Sequence, residues 1–250
     1  MVCNDSDSVA ELTAMFLEAA NPEKAQHFMR FFKTGVGQYG YGDQFLGLPS
    51  APAVRGMLKP FMGKLTLPEC NCLLDSPWHE IRLAGLFIMV DSAKRMLKQR
   101  DLPGLTELVK LYDQRLERAN NWDLVDVSVY HIMGAYWTCA DTKADERRVF
   151  LKKWADSGNL WRERAAMVST LALIRMGILD DTFWLAEYFM KHPHDLMHKA
   201  CGWMLREAGK KDINALRGFL EVFYRSLPRT ALRYAIERME PDERKKWMER

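Results

Sequence analysis

The sequence predicts an all-α fold, a superhelical solenoid of stacked two-helix repeats with a basic concave face. Three observations carry this. Helical segments follow one another with short connections and no convincing strand. Charged segments recur in register along them, at intervals that match a two-helix unit. Four of the five residues at the recurring position are basic.

Taken in order, Ser8-Val9-Ala10-Glu11 has the form of a capping box ahead of Leu12, Met15 and Phe16, and Asn21-Pro22 sets a cap before a first-turn proline. These predict helices over 8–19 and 22–33. A glycine-rich break follows. Helices are then expected near 50–62, 68–74, 78–99, 103–118, 122–138, 143–155, 159–175, 180–190, 194–208, 213–225, 228–238 and 241–249. No Pro/Ser-rich linker or charge block divides the chain, so residues 1–250 are expected to form one domain.

The register comes from aligning Glu80-Ile81-Arg82-Leu83-Ala84, Leu124-Val125-Asp126-Val127-Ser128, Arg162-Glu163-Arg164-Ala165-Ala166, His198-Lys199-Ala200 and Leu232-Arg233-Tyr234-Ala235. Arg82, Asp126, Arg164, Lys199 and Arg233 then fall at one position, separated by 44, 38, 35 and 34 residues. Units of about 34–47 residues are typically helix pairs that stack into a curved solenoid. An ordinary bundle gives no reason for such a period.

Composition narrows the function classes. The chain has 250 residues and 48% hydrophobic content, ample for a core. Met1 to Ser8 carry Asp5 and Asp7 instead of a basic head and an apolar run, which argues against a secretory signal. The longest uninterrupted apolar stretch, Leu83 to Val90, is far short of the about 20 residues that span a bilayer. A cytoplasmic protein with no membrane partner is expected. Cys3, Cys70, Cys72, Cys139 and Cys201 are an odd, scattered set, so reduced thiols are the expectation. The net charge of +3 does not by itself indicate a nucleic-acid partner.

Two segments carry the candidate chemistry, Asn121-Trp122-Asp123-Leu124-Val125-Asp126 and Asn159-Leu160-Trp161-Arg162-Glu163-Arg164. Each opens a helix. Trp122 and Asp126 are four apart and Trp161 and Arg164 three apart, so each pair shares a helix face. Two indoles, a carboxylate and a guanidinium suit a cationic ligand with a negative backbone. A basic stripe suits phosphates, because each one neutralised releases condensed counterions. The alternative is that these side chains form ladders between neighbouring repeats.

The chain resembles the AlkD-like DNA glycosylases, HEAT-like-repeat enzymes that remove alkylated bases. The resemblance covers nearly the whole chain. It rests on Phe31-Phe32-Lys33-Thr34-Gly35, Gly37-Gln38-Tyr39-Gly40, Gly42-Asp43, Phe45-Leu46-Gly47 and Trp78-His79-Glu80-Ile81-Arg82. The two segments above and Lys199-Ala200-Cys201-Gly202-Trp203-Met204-Leu205-Arg206-Glu207 complete it. The resemblance implies that Trp122 and Asp126 are the catalytic pair, that Arg164 belongs to the same site, and that Trp203 contacts substrate or DNA backbone. An aromatic contact to the lesion falls on Phe31 or Phe32, where other members can have tyrosine. Val36 and Tyr41 depart from the proline and glutamate common in the glycine-rich segment. Lys33, Arg82, Lys199, Arg206 and Arg233 are expected to hold DNA.

The chemistry fits these residues. Alkylating a purine ring nitrogen makes the base cationic, so it leaves as a neutral molecule without a strong general acid. Positive charge then develops on the sugar, where an ionised carboxylate, Asp126, stabilises it and orients water. Trp122 and Trp203 favour a charged lesion through cation–π attraction of about 0.5–2 kcal/mol. No Schiff-base lysine is required, so hydrolysis without strand cleavage is expected, with no cofactor, no metal and a monomer on duplex DNA containing alkylated bases. The alternative is a non-catalytic repeat scaffold binding DNA or protein.

Other signals point nowhere specific. Gly35-Val36-Gly37-Gln38-Tyr39-Gly40 spells a dinucleotide motif, yet follows a helix, so a flexible loop against DNA or a neighbouring helix is expected instead. His79-Glu80 begins like a zinc-protease motif, but Leu83 stands where the second histidine belongs. His194 and His198 are spaced to share a helix face, and Cys70-Asn71-Cys72 is a close thiol pair, but neither has a second ligand pair. The segment from Glu240 to Arg250 reads as a solvated final helix.

Overall fold

A computed structural model describes residues 7–48 and 51–249. Among these are fourteen α-helices: α1 (Asp7–Glu18), α2 (Pro22–Phe31), α3 (Ala51–Met57), α4 (Leu67–Leu74), α5 (His79–Gln99), α6 (Leu102–Arg115), α7 (Trp122–Ala140), α8 (Ala144–Ala155), α9 (Leu160–Arg175), α10 (Asp180–Tyr188), α11 (Asp195–Lys211), α12 (Ile213–Phe223), α13 (Arg229–Ala235) and α14 (Pro241–Glu249). No strand forms among the described residues beyond one bridge between Gln44 and Trp78. No helix there is long and apolar enough to cross a membrane.

Side-chain caps set several of the helix starts. Asn21 Oδ1 accepts from Lys24 N, Asn159 Oδ1 from Trp161 N and Arg162 N, and Asp212 Oδ1 from Asn214 N and Ala215 N. Each satisfies donors that a helix start leaves orphaned. Thr66 and Glu69 form a reciprocal capping box at α4. Ser8, expected as a cap, lies inside α1. The α3 helix stops at Met57, five residues before its expected end, because Pro60 has no N–H to continue it and Gly63 turns the chain at φ +78°.

The chain divides into two compact units, Met1–Ala140 and Asp141–Arg250. In the first, α5 is the central helix: Leu83 to Val90 are all buried, as expected of a run apolar on every side. It packs against α4, α6 and α7. In the second, α9 has the same role, with Arg164 to Ile174 buried and α8, α10 and α11 around it. Alternate helices pack side by side within each unit, α5 on α7, and α9 and α13 on α11, which is the packing of a helical-repeat solenoid. The register also holds. Asp126, Arg164, Lys199 and Arg233 are each the fifth residue of α7, α9, α11 and α13, and Arg82 is the fourth of α5.

The thiols differ from expectation. Cys70, Cys139 and Cys201 are free, but Cys72 is disulfide-bonded. Pairing depends on which sulfurs the tertiary fold brings within reach, which spacing does not reveal. Cys3 lies outside the described residues. The last helix is not merely solvated either, since Trp247 is buried and meets Tyr224 edge-on.

Residues 34–48 cross the first unit between α2 and α5. Gly40 N donates to Lys33 O, Asn21 N to Leu46 O, and His79 N to Gln44 O. Glu80 accepts from the backbone N–H groups of Leu46, Gly47 and Leu48 at 2.9, 2.8 and 3.2 Å. Residues 40–48 are therefore held against neighbouring helices, one of the two settings expected for the glycine-rich loop. A methyl on Gly40 would lie 2.4 Å from Phe32 O and 3.3 Å from Asn121 Nδ2. Gly40→Ala is accordingly expected to cost about 1–3 kcal/mol, read as a lowered urea midpoint.

Candidate active site

The first unit contains an open cavity of about 500 Å³, within the range of small-molecule sites. Phe31 and Phe32 enter it from the end of α2, and His79 from the first turn of α5. Trp122, Asp123 and Asp126 enter from the start of α7, and Phe45 from the fixed segment. The expected pairing of Trp122 with Asp126 is therefore a cavity wall, one helical turn apart.

The rings form a graded stack. Phe32 stacks on Trp122 with centroids 5.4 Å apart and on Phe45 at 5.0 Å. Phe45 in turn stacks on His79 at 4.4 Å. Phe31 meets Trp122 edge-on at 6.1 Å and is 56% exposed. Phe32 thus supports the indole from behind, and Phe31 is the ring presented to solvent. The indole face is aimed by aromatic packing, which tolerates little rotation.

Behind the stack lies a charge network built on His79, Asp43 and Asp123, none of which had an assigned role in the sequence. His79 Nδ1 donates to Asp43 Oδ2 at 2.7 Å and Nε2 to Asp123 Oδ2 at 2.8 Å. Two carboxylate acceptors require both ring nitrogens to carry protons, so His79 is an imidazolium. Burial opposes its charge, but the neighbouring Asp123 and Asp43 outweigh it and raise the pKa from 6.5 to about 9. Burial likewise opposes ionisation of Asp43, yet His79 and Arg82 hold its carboxyl below the usual range. The sequence carried only the segments Gly42-Asp43 and Trp78-His79-Glu80; nothing local indicates that 36 residues apart they meet.

A pH dependence follows. Because the folded His79 value lies above the ordinary one, its contribution to stability is fully present below about pH 6.5 and is lost as pH rises through about 9. The urea midpoint of the parent is expected to fall across that window, and the fall to flatten in His79→Gln.

Arg82 corrects the expected basic stripe. It is 2% exposed. Its guanidinium donates to Asp43 Oδ1 at 2.5 Å, Asn120 Oδ1 at 3.0 Å, the carbonyls of Ser76 and Pro77 at 3.0 Å, and Arg118 O at 3.2 Å. No donor is left for DNA. The ladder reading holds at this position, because a planar five-donor group can satisfy clustered acceptors that a lysine cannot.

In the second unit, Arg164 is 5% exposed and donates to Leu196 O at 2.5 Å. Lys199 pairs with Asp195 at 2.8 Å, and Arg206 pairs with Glu237 and Glu207. Trp203 is half-buried on α11. Arg233 is exposed beside Arg244 and Lys245 at a second open cavity of about 500 Å³, and in the first unit Lys33 is exposed at φ +56°. His194 and His198 do not share a helix face: His194 caps α11, accepting from Leu196 N, while His198 Nε2 donates to His192 O. No group of three or more metal-binding side chains converges among the described residues.

Comparison with known proteins bears on all of this. No curated protein matches the chain. Among solved structures it is similar to a predicted DNA alkylation repair enzyme from Enterococcus faecalis, with a TM-score of 0.69 and 18% identity over 89% of this chain and 97% of that one. That likeness is one of fold. A family model described as DNA alkylation repair enzyme matches residues 12–239, taking in the aromatic cavity, the His79 network and the α9–α13 stack, and the chain belongs to that family.

Proposed function

We propose that this protein is a monofunctional DNA glycosylase that hydrolyses the N-glycosidic bond of cationic alkylated purines, of the 3-methyladenine or 7-methylguanine type, in duplex DNA. One observation carries the reading: a carboxylate, Asp126, and an indole, Trp122, line one cavity at the start of α7. An aromatic face selects positive charge, and a carboxylate on the same wall stabilises charge as it passes to the sugar. Arg164 is assigned to the same reaction as its fixed positive charge, and Trp203 to contact with the DNA. Phe31, the exposed ring, is assigned the lesion contact.

On this reading the protein acts as a monomer and as one functional domain, which is consistent with a family model that runs through both units. Lys33 and Arg233, which are exposed, are the favoured phosphate contacts; Lys199 and Arg206 contribute less because acidic partners already offset their charge. Lys33→Ala and Arg233→Ala are each expected to reduce the slope of log affinity against log salt by about 1. Equal slopes in parent and variant exclude that contact.

The decisive test is release of free base from duplex DNA treated with a methylating agent, under single-turnover conditions. Free methylated purine with an intact abasic strand supports the reading. No release moves the protein to a non-catalytic scaffold that binds DNA.

A further inference from the structure

The open cavity of the second unit, about 500 Å³, is lined from α13, from α14 and from the turn that joins them. Its charge is opposite to that of the cavity in the first unit, whose described lining has three carboxylates and no lysine or arginine. Here Arg233 from α13 and Arg244 and Lys245 from α14 supply three cations. The single carboxylate in this lining, Glu237, is already engaged by Arg206. Among the described residues Arg233 and Arg244 have no ion-pair partner, and Lys245 reaches Glu249 at 3.8 Å on the exposed surface. Such a cavity is complementary to an anion.

The rest of the lining is apolar, with Tyr234, Ile236 and Met248 beside the cations. Tyr234 is 38% exposed, so part of its side chain stays open to solvent. Arg244 and Met248 are four apart on α14, which sets a cation and an apolar surface on one face. The frame is held in place. A Cβ on Gly202 would lie 2.5 Å from both Ala231 O and Tyr234 Cβ, so α13 is seated directly on α11. Arg229 Nη1 donates to Met248 O at 3.0 Å and ties the start of α13 to the end of α14. A phosphate alone needs neither this volume nor an apolar surface. A base together with its phosphate uses both, the ring against an aromatic side chain and the phosphate on the cations.

We infer that this cavity holds one unpaired nucleotide of a DNA strand, with its base against Tyr234 and Met248 and its phosphate on Arg233, Arg244 and Lys245. A base within a duplex is stacked on both faces and paired at its edge, so it has no surface to offer the cavity. The occupant therefore belongs to a single-stranded end or gap. The inference rests on DNA as the ligand and extends the phosphate contact given to Arg233, but it does not depend on base excision. It gives the second unit a site for strand discontinuities, separate in chemistry from the carboxylate-lined cavity of the first.

The test is fluorescence anisotropy of the full chain with a labelled blunt duplex and with the same duplex carrying an unpaired 3′ tail. The parent is expected to bind the tailed duplex about tenfold more tightly. Tyr234→Ala is expected to lose most of that preference while its affinity for the blunt duplex changes less than about twofold, and Tyr234→Phe to keep it, because stacking needs the ring and not the hydroxyl. Arg244→Ala, an exposed substitution, is expected to lower the salt slope for the tailed duplex by about 1. Equal affinity of the parent for the two duplexes overturns the inference. A preference that survives both Tyr234→Ala and Arg244→Ala also overturns it, since the tail then lies elsewhere. Deoxyadenosine monophosphate that competes as well as the tail overturns the strand as occupant and makes this a site for a free nucleotide. Binding of neither duplex removes DNA as the ligand, and the glycosylase reading with it. Base release is not measured, so loss of the tail preference alone leaves that reading intact.

Discussion

Asp126→Asn is expected to lower single-turnover base release by about 10²–10³-fold while changing duplex affinity less than about twofold. The substitution keeps shape and removes charge. A unit negative charge about 4 Å from a developing positive one is worth about 4 kcal/mol at an effective dielectric of 20, which corresponds to about 10³-fold in rate. On the proposed reading binding rests elsewhere, on phosphate contacts and the ring faces of Trp122 and Phe31, so affinity and rate separate. Quench-flow or manual sampling of base release, paired with fluorescence anisotropy of a labelled duplex, reads both. A parent-like rate in the variant removes Asp126 from the mechanism, and equal losses of affinity and rate make it a binding residue.

Arg82→Ala is expected to be the most destabilising of the substitutions considered, by about 3–5 kcal/mol. The guanidinium is the hub for five acceptors from three chain segments. Its removal takes a donor from three carbonyls and an amide oxygen, of which Ser76 O keeps another from Arg118, and leaves His79 as the ion-pair partner of the buried Asp43. For a chain of this size that corresponds to a fall in Tm of about 6–20 °C. Arg82→Lys is expected to recover little, because a point ammonium cannot span acceptors spread around a planar fork. Scanning calorimetry checks the size of the effect. A variant of unchanged Tm that binds DNA more weakly restores Arg82 to the DNA face.

Much of the architecture was legible. Among the described residues the fourteen helices lie within a few residues of the expected ranges, except that α3 stops five residues short, and the charged positions at 126, 164, 199 and 233 keep one register through four helices. Trp122 and Asp126 were legible for the same reason, since a spacing of four on a helix fixes a shared face. Arg82 occupies nearly the same register yet points inward, because Asp43, 39 residues earlier, and Asn120, 38 later, close around it. Nothing in its own segment records that.

The sequence by itself determined the helices, their repeat and the aromatic–carboxylate pair on α7, because each depends on contacts within a few residues. Only the tertiary structure decided which arginine is internal, which phenylalanine is exposed, and that His79 is clamped as a cation between Asp43 and Asp123. Those outcomes depend on side chains about 30 to 45 residues apart meeting in a buried, weakly screened setting, where a charge is held or expelled according to its partners.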